Sequence, residues 1–192
     1  MRIGITGTIG SGKSTVLKYF DELGFVTFDC DAYNRELLKK GNKGYLLVKE
    51  HFPEVLIKEE IDRKLLAKLI FADRKKRELL ESLLHPLIIE GMATKALAAP
   101  LFFAEVPLLY EKGLQAHFDL VILVTTADEL ALKRLAARGI SEAEARKRLA
   151  AQMPFAQKAA MADVIVYNNG GIIELHHQLD DFLNSYVRKR VV

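Results

Sequence analysis

Cys30 is the only cysteine in the chain, so no intrachain disulfide can form and a reducing compartment is the expected setting. No apolar run approaches the roughly 18 residues that a membrane-spanning helix needs. Internal repeats, low-complexity tracts and Pro/Gly/Ser-rich linkers are also missing. An apolar strand begins almost at residue 1, which leaves no room for a signal peptide and predicts a cytoplasmic protein with no membrane partner. Charge of one sign is scarce. The formal charge is only +3, and most cations are interleaved with acids. That falls short of a nucleic-acid binder's basic excess, yet suits a partner that carries phosphates.

A length of 192 residues, 50% of them apolar and 28% charged, fits one α/β domain with an inserted substructure. Five short apolar runs read as buried parallel strands: Ile3–Thr6, Phe25–Phe28, Leu101–Val106, Leu120–Val124 and Val164–Tyr167. Helical patterns separate them, as in βαβ units. Residues 32–99 form an unusually long helical stretch between the second and third strands, an expected substrate-binding insertion. Within it Asp62 and Asp73 are candidate N-caps for helices starting at Arg63 and Arg74, and Pro86 marks the first turn of another. Ser141 and Glu144 make a capping box for a helix to about Ala151. A last helix over about 172–188 carries Ile172, Leu175, Leu179, Phe182, Leu183 and Tyr186 as a core stripe, with Arg188-Lys189-Arg190 near its C-terminus.

Residues 7–15 read Gly7-Thr8-Ile9-Gly10-Ser11-Gly12-Lys13-Ser14-Thr15, a complete G-x-x-x-x-G-K-S loop. It follows the first strand and precedes a helix over 14–23, whose Val16, Leu17, Phe20 and Leu23 make one apolar stripe. Glycines let such a backbone curl until successive N–H groups point at a phosphate chain, and the helix N-terminus adds positive potential there. Lys13 reaches the terminal phosphates in this pattern, and the Ser14 hydroxyl holds Mg²⁺. The sequence therefore points to a nucleoside triphosphate.

The loop alone does not separate a switch, a motor and a small-molecule kinase. A guanine-reading N-K-x-D element is missing, since the only Asn-Lys pair, Asn42-Lys43, is followed by Gly44-Tyr45. Glu105, near the end of the third strand, could handle Mg²⁺ and water as in motors and ATPases, although Val106-Pro107 ends that strand unusually. Asp29 and Asp31 flank Cys30 at the end of the second strand, where ligands of doubly wound sheets sit. On an extended segment their side chains share a face. Either could accept a proton from an attacking alcohol or help place Mg²⁺, and Asp31 could also cap the helix that begins at Ala32, the two roles being compatible. Arg134, Arg138, Arg146 and Arg148 cluster near the capping box, either as a lid over the transferring phosphate or as a solvated, salt-bridged face.

Further blocks narrow the choice. They are Gly4-Ile5-Thr6-Gly7 with the loop, Asp29-Cys30-Asp31 with Arg35, and Leu84-His85-Pro86-Leu87-Ile88. Then come Val106-Pro107-Leu108-Leu109-Tyr110-Glu111, Arg148 through Gln152-Met153-Pro154, and Ala162-Asp163-Val164-Ile165 with Asn168 and Gly170. In this order, from residue 3 to residue 170, they resemble the dephospho-coenzyme A kinase family. The resemblance implies transfer of the ATP γ-phosphoryl group to the ribose 3′-hydroxyl of dephospho-CoA, the last step of coenzyme A synthesis. It implies a P-loop kinase: a doubly wound, five-stranded parallel core (about 1–31, 100–127 and 162–192), a helical substrate region (32–99) and a lid (128–161). ATP and Mg²⁺ are the implied co-substrate and metal, and a monomer or weak homo-oligomer is expected.

By the same resemblance Asp31 is the base, with Lys13 and the lid residue Arg138 acting on the phosphate. Gly10, Ser11, Gly12, Lys13, Ser14 and Thr15 hold ATP, with Asn168 and Gly170 near the adenine. Ser14 is the metal ligand, and Asp31, Arg35, His85 and Leu108 lie on the substrate side. Two residues depart from the family pattern: Thr8 stands where a glycine is common, and Cys30 where a small residue, usually alanine, separates the aspartates. A small buried hydrophobe is the expected role of Cys30.

Overall fold

The first apolar run becomes β1 (Arg2–Gly7), followed by α1 (Lys13–Glu22) and β2 (Val26–Asp29) in a computed structural model that describes residues 1–187. The chain continues through α2 (Cys30–Leu37), α3 (Lys43–His51), β3 (Leu56–Ile57), β4 (Glu60–Ile61), α4 (Arg63–Ala72) and α5 (Arg74–Ala96). It then returns as β5 (Phe102–Glu105), β6 (Leu120–Thr125), α6 (Asp128–Ala136), α7 (Glu142–Ala150), α8 (Phe155–Met161), β7 (Val164–Tyr167) and α9 (Ile172–Phe182). The basic triplet Arg188-Lys189-Arg190 lies outside the described residues. Two compact units result, Met1–Asp29 with the segment from Ala98 onward, and Cys30–Leu97.

In the first unit the five expected strands form one sheet in the order β2-β5-β1-β6-β7, every pairing parallel. This is the doubly wound α/β arrangement. β1 is central; the chain passes from it to β2 on one side and later from β5 across to β6 on the other. Ligands of such sheets sit beyond the carboxyl ends of the strands where that direction switches. Asp29 of β2 and Glu105 of β5 are register partners at that same edge, with Glu105 also opposite Ile5. Phe20 of α1 stacks on Phe103 of β5 with ring centroids 3.8 Å apart. Val16 and Leu17 join the same core, each buried side chain contributing about 1.5–3 kcal/mol. Leu23 does not: it is 51% exposed, because α1 stops at Glu22 and Gly24 turns the chain with φ 83°.

From α9, Leu175, Leu179 and Phe182 pack on this core, and Leu183 follows in a single π-helical turn, Leu183–Val187. Tyr186 is partly buried against the same cluster, whereas Ile172, the first helical residue, is exposed.

In the Cys30–Leu97 unit, Val48, Phe52, Val55, Leu66, Leu80 and Leu84 make a separate core. The Asp62 carboxylate accepts from the N–H groups of Lys64 and Leu65, and that of Asp73 from Lys75 and Lys76. Both caps stand where the sequence places them. Pro86 does not open a helix. It lies inside the 23-residue α5. An interior proline costs about 3 kcal/mol. Leu80 and Leu84 before it and Met92 after it are all buried, and their packing holds the helix continuous. Pro86 itself is exposed, so the Ser82 carbonyl that loses its partner can reach water.

Two further departures concern local geometry. β3 and β4 pair as an antiparallel hairpin inside a stretch that reads as wholly helical. β2 ends at Asp29 and α2 begins at once with Cys30, so Asp31 sits in the first turn of a helix rather than on an extended segment. The strand alternation that would align Asp29 with Asp31 therefore does not apply. An acid in a first helical turn complements the helix dipole in any case. Cys30 is half-buried, less enclosed than a core hydrophobe.

Candidate active site

β1 delivers the chain into the glycine-rich loop with no room for side chains at two points. A Cβ on Gly7 would lie 2.1 Å from the carbonyl oxygen of Val124. Gly12 has φ 94°, and a Cβ there would lie 2.1 Å from Asn168 Nδ2. The loop is thus pressed against the Val124 backbone at Gly7 and the Asn168 side chain at Gly12. Lys13, the first residue of α1, is only 8% exposed, and its ammonium donates to the carbonyls of Gly7 (3.2 Å) and Thr8 (3.0 Å). The N–H groups that open α1, that of Ser14 among them, have no acceptor within the helix, and a helix N-terminus of this kind favours an anion.

The loop carbonyls are held from behind. Asn168 Nδ2 donates to the Ser11 carbonyl at 2.8 Å. Arg134 of α6 donates to the carbonyls of Gly10 and Ser11 (3.4 Å each) and to that of Asn168 (3.0 Å). Asn168 is itself fixed where β6 and β7 end, its N–H on the Thr125 carbonyl and its carbonyl accepting from Thr126 Oγ1. Lys13 and Arg134 thus set two cations against the loop carbonyls, beside the N-terminus of α1. Gly170 lies in an exposed bend next to this support.

A second set of contacts ties the loop to the segment after α7. The Ile9 N–H donates to Gln152 Oε1 at 2.9 Å, and the next residue, Met153, donates its N–H to Glu111 Oε1 at 3.1 Å. Lys158 of α8 reaches the same Glu111 oxygen at 2.7 Å. Burial pushes the Glu111 carboxyl upward. The hydrogen bond from Lys158, the backbone N–H groups of Glu111 and Met153, and the lysine charge outweigh it, leaving the group below the ordinary glutamate range. Neighbouring Tyr110 moves the other way, to about 12, through burial and then the charge of Asp163.

The four arginines separate into different environments. Arg134 supports the loop. Arg146 pairs with Glu142 and Arg148 with Glu144 along α7, a salt-bridged solvent face. Only half of the capping box forms, because Ser141 accepts the Glu144 N–H while the Glu144 carboxylate accepts from Arg148. Arg138 is exposed just beyond α6, next to Gly139 at φ 78°. Leu108 is 40% exposed in the turn after β5. In the other unit, Asp31 and Arg35 occupy successive turns of α2, and His85 is half-buried on α5 immediately before Pro86.

The family model for dephospho-CoA kinase, CoaE, matches residues 1–174. The chain belongs to the dephospho-CoA kinase family. A member from Arabidopsis thaliana is 37% identical over 189 residues, 94% of this chain and 82% of that protein. The crystal structure of a Thermus thermophilus protein superposes with a TM-score of 0.85 at 36% identity, covering 97% of this chain and 98% of its own. Dephospho-CoA kinase from Campylobacter jejuni gives a TM-score of 0.72 at 26% identity, covering 98% of each chain. As a family member this chain is a kinase with a P-loop nucleotide-binding fold, and the family implies ATP as the phosphoryl donor.

Sequence reasoning singled out the loop, yet it missed its supports. Arg134 stood among the lid candidates and Asn168 near the adenine, and neither was read as a hydrogen-bond donor to the loop carbonyls. Glu111 and Gln152 lay in family blocks without a role, and nothing local distinguished Lys158, a lone cation in an alanine-rich helix. Only the fold brings them together.

Proposed function

We propose that this chain transfers the γ-phosphoryl group of ATP to the 3′-hydroxyl of the dephospho-CoA ribose. The observation that carries the reading is the buried ammonium of Lys13, held on the carbonyls of Gly7 and Thr8 at the mouth of a loop where Gly12 admits no side chain. That is a triphosphate cradle. Family membership and the ordered sequence blocks support dephospho-CoA as the acceptor.

In this reading the loop from Gly10 to Thr15 holds ATP, Lys13 reaches its terminal phosphates, and Asn168 and Gly170 flank the adenine. Asp31 accepts the proton of the ribose 3′-hydroxyl as the new O–P bond forms and the bond from γ-phosphorus to the β,γ-bridging oxygen breaks, releasing ADP. Lys13 and Arg138 offset charge that spreads over the transferred group. Arg35, His85 and Leu108 lie on the acceptor side.

The candidate donors are oxygens: the exposed Ser14 hydroxyl in the first turn of α1, and Asp29 and Glu105, register partners at the carboxyl ends of β2 and β5. Hard oxygen donors in this number suit Mg²⁺, which keeps several waters and takes the rest of its shell from substrate phosphates. When bound, Mg²⁺ neutralises phosphate charge, with Ser14 as its protein ligand. No helix among the described residues is long and apolar enough to cross a membrane, and the single cysteine fits a cytoplasmic setting. The test is mass spectrometry of dephospho-CoA incubated with the protein, ATP and Mg²⁺. One added phosphate at the ribose 3′ position is expected; an unmodified acceptor would refute the proposal.

A further inference from the structure

The modest charge of the whole chain conceals one strongly basic stretch. Residues 64–77, which run through α4 into the start of α5, hold six cations and a single acid, Asp73. Their net charge is +5, against +3 for all 192 residues, so the remainder of the chain is net negative. Two of the cations are paired, Arg74 with Glu78 at 2.7 Å and Lys76 with Glu54 at 2.6 Å. Among the described residues, no carboxylate pairs with Lys64, Lys68, Lys75 or Arg77, and all four are exposed.

Apolar side chains stand among these cations on the solvent side. α4 itself contains no acid. Leu66 packs into the core of the Cys30–Leu97 unit, with Leu69 and Ile70 partly buried against it. The opposite face carries Lys64, Lys68 and Phe71, whose spacing of four and then three residues places them on one helical strip. Phe71 is 74% exposed, and Leu65 is exposed as well. On α5, Lys75 and Leu79 lie four residues apart and repeat the combination of a cation with an exposed apolar side chain. Core packing does not account for Phe71, since Leu66, Leu69 and Ile70 already supply the inward face.

We propose that the outer face of α4 and the start of α5 docks on an anionic lipid bilayer, its cations on the headgroups and Phe71 in the interface. Charge complementarity selects this partner. A surface of anionic headgroups attracts basic residues held within a Debye length, about 10 Å at moderate salt. The boundary beneath those headgroups accepts aromatic and leucine side chains, which a nucleic-acid duplex leaves in water. Stable attachment takes two signals, and this face carries both, one electrostatic and one apolar. The expectation of no membrane partner rested on the lack of a spanning segment, which surface docking does not need.

The test is cosedimentation of the full chain with vesicles of phosphatidylcholine, alone or with about one third phosphatidylglycerol. Binding is expected only to the anionic vesicles, and it should fall steeply as salt rises from about 0.05 to about 0.5 M. Lys64→Gln/Lys68→Gln should weaken it roughly 25-fold, about fivefold for each lysine. Phe71→Ser should weaken it about tenfold at every salt concentration, because salt does not screen the apolar contribution. All three side chains are exposed, so both variants should keep the wild-type circular dichroism, and the lipid and salt dependence of the wild-type protein needs no variant. Equal binding to the two kinds of vesicle, binding to neither, or unchanged binding in the lysine variant would overturn the proposal. Tighter binding to a single-stranded RNA than to anionic vesicles would also overturn it, and would assign the face to nucleic acid. A concentration-dependent dimer that Phe71→Ser abolishes would overturn it in favour of a second copy of the chain.

Discussion

Lys158 Nζ lies 2.7 Å from Glu111 Oε1, and the lysine side chain is wholly buried while the glutamate retains 17% exposure. Glu111 sits in the turn after β5 and Lys158 on α8, so the pair fastens the segment that follows α7 to the sheet. Glu111 also accepts the Met153 N–H, and Met153 adjoins Gln152, the acceptor for Ile9 in the loop. A buried charge is thereby coupled to loop position through two consecutive residues.

Removing one partner strands the other charge, at a cost on the order of 3–5 kcal/mol. Lys158→Met is expected to lower unfolding stability by that amount in a denaturant titration. Glu111→Gln/Lys158→Met together should recover most of it, since no lone charge remains. The net depression of the Glu111 carboxyl fixes the sign of the pH effect. Its stabilising contribution is complete above the unfolded glutamate pKa of about 4.3 and disappears as pH falls through the lower folded value. Glu111→Gln should therefore flatten the acid limb of the stability profile. An unchanged limb would show that the pair contributes nothing to it.

The loop itself is expected to be intolerant at Gly12. An alanine there must adopt φ 94° and place its Cβ 2.1 Å from Asn168 Nδ2. Gly12→Ala should weaken ATP binding at least tenfold, read by calorimetry on protein whose fold is checked by circular dichroism. Adding Asn168→Ala relieves the clash but not the backbone strain. The double variant should recover only part of the loss, and full recovery would show that φ at this position is unimportant.

Much of this architecture is legible in residue order. Continuous apolar runs such as Leu120–Val124 read as buried parallel strands because helices cover both faces, and the caps at Asp62 and Asp73 read directly because a cap is local chemistry. The β3–β4 hairpin was not legible. Its two-residue strands carry no pattern, and its turn residues, Lys58 and Glu59, have positive φ without being glycine or asparagine. Tertiary contacts hold them: Tyr45 donates to the Glu59 carbonyl, and Lys49 pairs with the Glu59 carboxylate at 2.6 Å. The same limit applies to the site. The loop is contiguous and readable, whereas its supports at Arg134, Gln152 and Asn168 are more than 120 residues away in sequence.

Gln152 offers a direct reading of that long-range support. Its Oε1 accepts the Ile9 N–H at 2.9 Å, a neutral bond worth about 1 kcal/mol. Gln152→Ala should speed hydrogen exchange at the Ile9 amide and raise KM for ATP about fivefold while changing kcat less. Gln152→Glu keeps an acceptor and should retain the Ile9 protection. If exchange at Ile9 is the same in all three proteins, the side chain does not hold the loop.

The sharpest mechanistic prediction concerns Asp31. It occupies the first turn of α2, two residues beyond the end of β2, on the same helix as Arg35. A positioned general base contributes roughly 10²–10⁴-fold to a proton transfer. Asp31→Asn keeps the side-chain shape and its capacity to accept a hydrogen bond but removes the negative charge that takes the proton. Turnover of dephospho-CoA should fall within that range, while KM for ATP, which depends on the loop, stays within about twofold. A first-turn carboxylate also complements the helix dipole by about 0.3–1 kcal/mol, so a structural role alone would appear as a small loss of stability with kcat intact. Asp31→Glu separates the two roles, since it restores the charge at a displaced position. It should recover stability fully and turnover only in part, whereas wild-type kcat in Asp31→Asn would remove this residue from the chemistry.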